Sequence, residues 1–222
     1  MKNISQDILN FFDERLKEIK QNQEKELEIL KCFIMGTELL DMSQNIDAKW
    51  KSVVEEHKNQ KSPLKLIIVG EAPLTLKKYF YFKQGTFLDS LREHWELKKN
   101  NELPNKMIER RILVLDIYKY PIPSEFYKKD KDKVLLDGQY LMDKINLLRQ
   151  NNLINEETHF VFRYKQLFED RKLNKLKAFN GCNFISSNEE IVSFNTGEKP
   201  QKLNATVKEY LVKNCSNSVQ TP

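Results

Sequence analysis

An α/β fold is predicted: three layers, α/β/α, around a central, mainly parallel four-stranded sheet, with a helical extension at the amino terminus. Three observations carry the prediction. Two short apolar runs, Leu64-Lys-Leu-Ile-Ile-Val69 and Ile112-Leu-Val-Leu115, are strand-length and lack polar alternation, as strands covered on both faces do. Helical patterns alternate with such runs along the chain, the order that builds a parallel sheet. The first run also stops at Gly70-Glu-Ala-Pro73, a turn that delivers the Glu71 carboxylate to the sheet's carboxyl edge, where open α/β sheets bind their ligands.

Taken in order, residues 5–61 are rich in Glu, Lys, Gln and Leu, with apolar residues at helical spacing: Ile8, Leu9, Phe12, Leu16 and Ile19, then Leu27, Leu30 and Ile34. Ser5 caps the start, Gly36 weakens or turns the second helix, and a third helix over 47–57 carries Trp50 and Val53-Val54. The polar linker Lys58-Asn-Gln-Lys-Ser-Pro63 separates this extension, residues 1–62, from an α/β domain at 63–213. Within the domain, strand 64–69 precedes a helix bearing Phe87, Leu88, Leu91 and Trp95 on one face. Residues 107–117 lead into a second strand, and 118–133 form an aromatic, basic loop. A helix at 135–151, a third strand at 159–164, a short helix near 167–179 and a final strand at 190–194 follow, then the loop Asn195-Thr-Gly-Glu-Lys-Pro200 and a last helix. Residues 214–222 read as a frayed tail.

Composition narrows the function. The 222 residues, 40% hydrophobic and 31% charged with six glycines and seven prolines, describe a globular chain and not a collagen-like or largely disordered one. No apolar run is long enough to cross a bilayer, and the first residues lack a secretory signal, so no membrane partner is expected and the cytoplasm is the expected compartment. Cys32, Cys182 and Cys215 form no CxxC pair, and the glycines form no Walker or dinucleotide pattern, so neither a metal nor a cofactor is expected. The net charge of +5 gains meaning only if cations gather at the strand ends, near which Lys77, Lys78, Lys83, Lys119, Arg163, Lys199 and Lys202 lie in sequence.

Gly70-Glu-Ala-Pro73, the aromatic run Tyr79-Phe-Tyr81, Val114-Leu-Asp-Ile-Tyr-Lys-Tyr-Pro121 and the late Phe194-Asn-Thr-Gly197 with Gln201-Lys202 resemble, in order and spacing, the site segments of the uracil-DNA glycosylase superfamily, in particular its bacterial uracil-DNA glycosylase-like members. The likeness covers residues 64–211. Asn195-Thr-Gly197 stands where active members carry a His-Pro-Ser type motif, and the cluster-binding cysteines of some subfamilies are absent.

The resemblance implies a cofactor-free DNA glycosylase acting on uracil or a modified base, in repair or against foreign DNA. Breaking an N-glycosidic bond generates a cationic sugar and a departing base anion, and demands negative charge at the sugar, a positioned water and donors for the base. Glu71 is the candidate at the water and sugar, or else caps its turn. Tyr79, Phe80 and Tyr81 are candidates for stacking on an extruded base, with Tyr81 or Phe80 favoured, or else are core. Asp116 ends the second strand and contacts a base edge or the water, or caps a turn. Asn195 is a second catalytic candidate at the base edge, and Lys78, Lys83, Lys119, Thr196, Gly197, Lys199 and Lys202 are candidates for holding single- or double-stranded DNA. Two functions compete: the glycosylase, and a catalytically inactive nucleic-acid- or nucleotide-binding module of the same fold. The amino-terminal helices pack on the domain or pair with a second copy or a partner protein.

Overall fold

The computed structural model describes residues 37–71, 81, 89–99, 102–118, 138–169 and 172–215. Most of the predicted helical extension, residues 1–36, lies outside them. The described elements are α1 (Thr37–Asn59), β1 (Leu66–Gly70), α2 (Asp89–His94), α3 (Glu102–Glu109), β2 (Ile112–Asp116), α4 (Gly138–Gln150), β3 (His159–Phe162), β4 (Asn183–Phe184), β5 (Ser186–Ser187), β6 (Glu190–Ile191) and α5 (Ala205–Asn214).

The predicted α/β fold is the one found. A four-stranded sheet of order β2-β1-β3-β4 is parallel throughout and flanked by helices. Every residue of β1 and β2 is buried, which is why their sequences run apolar without alternation. Behind β3, Phe160, Phe162, Phe168, Phe179 and Phe184 fill the core, with Phe162 and Phe184 stacked at 5.1 Å between centroids.

Three local expectations are corrected. The predicted helix over 47–57 is part of a 23-residue helix, α1. The short helix expected near 167–179 is a series of single 3-10 turns at Lys165–Leu167, Leu173–Lys175 and Lys177–Phe179, interrupted by the left-handed Lys172 at φ 52°. The fourth strand of the sheet is β4 and not 190–194, because Asn188 and Glu189, at φ 49° and 69°, turn the chain back on itself and pair β6 with β5 in an antiparallel ribbon. Ser193 then returns to the sheet through a parallel bridge to Phe162.

β2 is an edge strand, and its outward-facing backbone groups meet side chains. The Val114 N–H donates to the Tyr81 hydroxyl at 2.7 Å, and the Trp50 Nε1–H donates to the Val114 carbonyl at 3.0 Å. Trp50, Val53, Val54 and His57 are all buried at i, i+3, i+4 and i+7, so one stripe of α1 faces the sheet. Below it, the buried Arg111 guanidinium donates to the carbonyls of Pro63 and His57 at 3.0 and 2.8 Å and to Gln60 Oε1 at 2.8 Å, tying the carboxyl end of α1 to the start of β2.

Removing the indole donor leaves the Val114 carbonyl buried without its partner, so Trp50→Phe should destabilise the fold by about 1–3 kcal/mol. Tyr81→Phe should do the same to the Val114 N–H. Equilibrium urea unfolding checks both: midpoints that do not move would show that the edge is served by other groups.

Candidate functional site

The carboxyl edge of the sheet is built by backbone register. Gly70 pairs with Asp116, the Ile117 N–H donates to the Gly70 carbonyl at 3.1 Å and the Tyr118 N–H to the Glu71 carbonyl at 2.9 Å, which sets Glu71 and Asp116 at the ends of adjacent strands. On the other side of β1, the Arg163 N–H donates to the Val69 carbonyl at 2.9 Å, and beyond β3 the Phe194 N–H donates to the Phe162 carbonyl at 2.7 Å. Asp116, Glu71, Arg163 and Asn195 therefore follow one another across the edge, in strand order. At about 4.8 Å between strands, the row is on the order of 15 Å long.

Their environments differ. Glu71 is half-buried, whereas Asp116 is 6% exposed. Burial pushes the Asp116 carboxyl up to about 6, against the opposing pull of the Lys144 and Arg163 cations. Lys144, on α4, is 5% exposed; burial lowers its ammonium to about 8, while Asp47 and Asp116 hold it charged. Its Nζ lies 3.6 Å from Asp47 Oδ1 and sits over the rings of Trp50 and Tyr140 at 4.3 and 4.5 Å. The Arg163 guanidinium lies 4.6 Å from the Tyr164 ring. Buried, mutually coupled charges at a ligand-binding edge mark a functional-site candidate, because a fold gains little stability from them.

Of the residues singled out from sequence, the structure brings Glu71, Asp116 and Asn195 to this edge. Asn195 is not open at a base edge as expected: it is 5% exposed, its Oδ1 accepts from Ser90 Oγ at 2.8 Å and its Nδ2 donates to Gln201 Oε1 at 3.3 Å. The amide locks the late loop to α2, since a buried amide needs such partners. Tyr81 is also corrected as a stacking candidate: its ring is 5% exposed and its hydroxyl caps Val114, the edge strand's demand for a partner having taken it inward. Thr196, Gly197, Lys199 and Lys202 are exposed on a loop closed by the Asn195–Leu203 bridge and by the Thr196 N–H donating to the Lys202 carbonyl at 3.0 Å. Lys78, Tyr79, Phe80, Lys83 and Lys119 lie outside the described residues.

Lys144 was missed from sequence, although a signal existed: it shares the apolar stripe of Leu141, Ile145 and Leu148, where a lysine calls for a buried partner. The opposite, amino edge carries two adjoining cavities of about 650 and 450 Å³, both lined by His159, Tyr210, Lys213 and Asn214. There the Tyr210 hydroxyl donates to the Lys65 carbonyl at 2.8 Å, and His159 Nδ1 lies 3.0 Å from the Glu157 carbonyl.

Among the described residues no group of three or more His, Cys, Asp or Glu side chains is disposed to hold a metal ion, and no helix is long and apolar enough to cross a membrane. Compared with protein-family models, curated proteins and solved structures, the chain matches none.

Two buried groups give opposite pH signatures. His57 is fully buried, and burial with the Arg111 cation lowers it to about 4. The unfolded chain then holds the extra proton between pH 6.5 and 4, so His57 makes stability fall as pH falls through that window. Asp116, raised by burial, holds its proton in the folded state between about 4 and 6, so its contribution is lost as pH rises there. At about 1.4 kcal/mol per tenfold change in proton affinity, each is worth roughly 3 kcal/mol, and they offset one another. Relative to the parent, Asp116→Asn should therefore gain roughly 3 kcal/mol of stability as pH rises from 4 to 6.5, and His57→Gln should lose a similar amount. Urea unfolding across that range checks both; parallel curves would show that neither group titrates as its burial implies.

Proposed function

We propose that this chain is a DNA glycosylase that hydrolyses the N-glycosidic bond of a base and leaves an abasic site, without a cofactor. The observation that carries the reading is the pair Glu71 and Asp116, one strand apart at the carboxyl edge and in unlike surroundings. The sequence resemblance of the same segments to the uracil-DNA glycosylase superfamily supports it.

In this reading Glu71, the more accessible acid, orients the attacking water and stabilises the cationic sugar. Asp116, buried on the neighbouring strand, meets the edge of the extruded base. Asn195 is a positioning residue that holds the late loop in place through Ser90 and Gln201. Lys199 and Lys202, exposed on that loop, meet phosphates, and Gly197, at φ 82° with open space where a Cβ would stand, lets the backbone approach a strand closely.

One observation favours the second reading, a binding module that has lost catalysis. The late loop offers no His, and the Asn195 amide already accepts from Ser90 and donates to Gln201, which leaves it less able to serve a departing base.

Glu71→Gln tests the proposal with single- and double-stranded oligonucleotides carrying uracil, hypoxanthine or modified cytosines. Base release should fall on the order of 10²–10⁴-fold while DNA affinity stays within about twofold of the parent. Salt-sensitive binding of the parent with no release from any substrate would favour the binding module, and the absence of both would sink the two readings together.

A further inference from the structure

We infer that the site selects bases that present an exocyclic amino group, with the Asp116 carboxylate as the acceptor, and selects against uracil and thymine. The inference rests on the glycosylase reading for where the base lies, and on Asp116 for what it selects.

The chemistry follows from the acceptor alone. An ionised carboxylate can only accept hydrogen bonds. Cytosine offers it the N4 amino group, and guanine offers adjacent N1–H and N2 donors, whereas uracil and thymine flank their single N3–H with two carbonyl oxygens that a carboxylate repels. Elsewhere in protein–DNA recognition, Asp and Glu accept from the cytosine N4 amino group for the same reason.

Three features of the structure sharpen the discrimination. Asp116 ends a strand in fixed register with Gly70, so its backbone cannot move away from a mismatched edge. Its burial excludes most of the water that would otherwise bridge a carbonyl to a carboxylate, and a site built to bond a substrate N–H rejects analogues lacking it. Lys144 and Arg163 act on it from two other elements, α4 and the end of β3, and both favour the charged form. The Tyr81 hydroxyl also feels the Asp116 charge. An asparagine at this position would be neutral, would both donate and accept, and would serve a carbonyl-bearing edge.

The experiment has two arms at pH 8, where the carboxyl is ionised. The first measures release from oligonucleotides carrying one cytosine, modified cytosine, guanine, uracil or thymine; the second measures binding of the free deoxynucleosides by calorimetry. The parent should favour amino-bearing bases by about tenfold or more, and Asp116→Asn should bring that ratio to within about threefold of unity or invert it. Comparison of the cytosine and guanine arms identifies which amino edge is read. Release of uracil as fast as any amino-bearing base overturns the inference while the glycosylase reading stands. A nucleoside preference of the expected kind without release upholds the inference while the glycosylase reading falls. Neither release nor binding overturns both, whereas a ratio in each arm that Asp116→Asn leaves unchanged, while circular dichroism shows it folded, overturns the inference alone. The parent's preference requires no variant, so an Asp116→Asn protein that does not fold leaves the deciding ratio measurable.

Discussion

The outer edge of β2, which no further strand pairs among the described residues, is the constraint on which the rest of this structure turns. A parallel sheet of four strands leaves two edges, and an edge in the core of a domain must find partners for its N–H and C=O groups or lose the free energy of several hydrogen bonds. At Val114 both groups are met by side chains, the Tyr81 hydroxyl and the Trp50 indole, arriving from 33 and 64 residues away. Trp50 anchors α1 along the strand, and the Arg111 guanidinium fixes the far end of the same helix at the start of β2. A helix pinned at two points cannot slide. The positions of Asp47 and of the Trp50 ring relative to the carboxyl edge follow from those two anchors.

That placement is what makes a buried lysine tolerable. Burying an ammonium costs several kcal/mol unless opposite charge and polarisable surface replace its water. Lys144 receives Asp47 on one side and the faces of Trp50 and Tyr140 on others, while Asp116 contributes a second negative charge. The same residue, Trp50, thus completes the edge strand with its N–H and supports the lysine with its ring. Asp116 in turn is held between its own burial, which favours the proton, and two cations, which remove it. The outcome is a carboxyl group that changes charge near neutral pH, the range in which a group is useful to chemistry and poor as a structural strut.

How much of this was legible in the sequence follows from the distance over which each decision is made. β1, β2 and most of β3 were readable because burial on both faces imposes an apolar run that no neighbouring residue can disguise, and Glu71 and Asp116 were readable as the first polar residues where those runs stop. β4 was not, because two residues, Asn183 and Phe184, carry no periodicity, and the apolar stretch of Ile191, Val192 and Phe194 imitated a strand better. The deciding feature there was local but small: Asn188 and Glu189 both take left-handed backbone conformations and fold the segment onto itself. Glu55, Glu56 and Lys58 give the end of α1 a polar sequence, and only the i+7 spacing from Trp50 places His57 on its buried stripe. Tyr81 and Asn195 were chosen for chemistry and turned out to serve packing, since Val114 and Ser90, which claim them, lie 33 and 105 residues away.

The two edges of the sheet differ in their chemistry. Two cavities lie at the amino edge, where His159 and Tyr210 meet with 4.9 Å between ring centroids. There the hydroxyl and the nearer ring nitrogen are already matched to the Lys65 and Glu157 carbonyls, and the acidic and basic residues around them are largely at the surface, Glu156, Glu157, Glu209 and Lys213 all being exposed. Water satisfies such groups cheaply. At the carboxyl edge the charges are inside, coupled through low dielectric, and set in register by the strands themselves, so that a ligand's donors and acceptors would be compared with fixed partners and not with mobile ones. Asp116, buried at the end of β2, stands in the second kind of place.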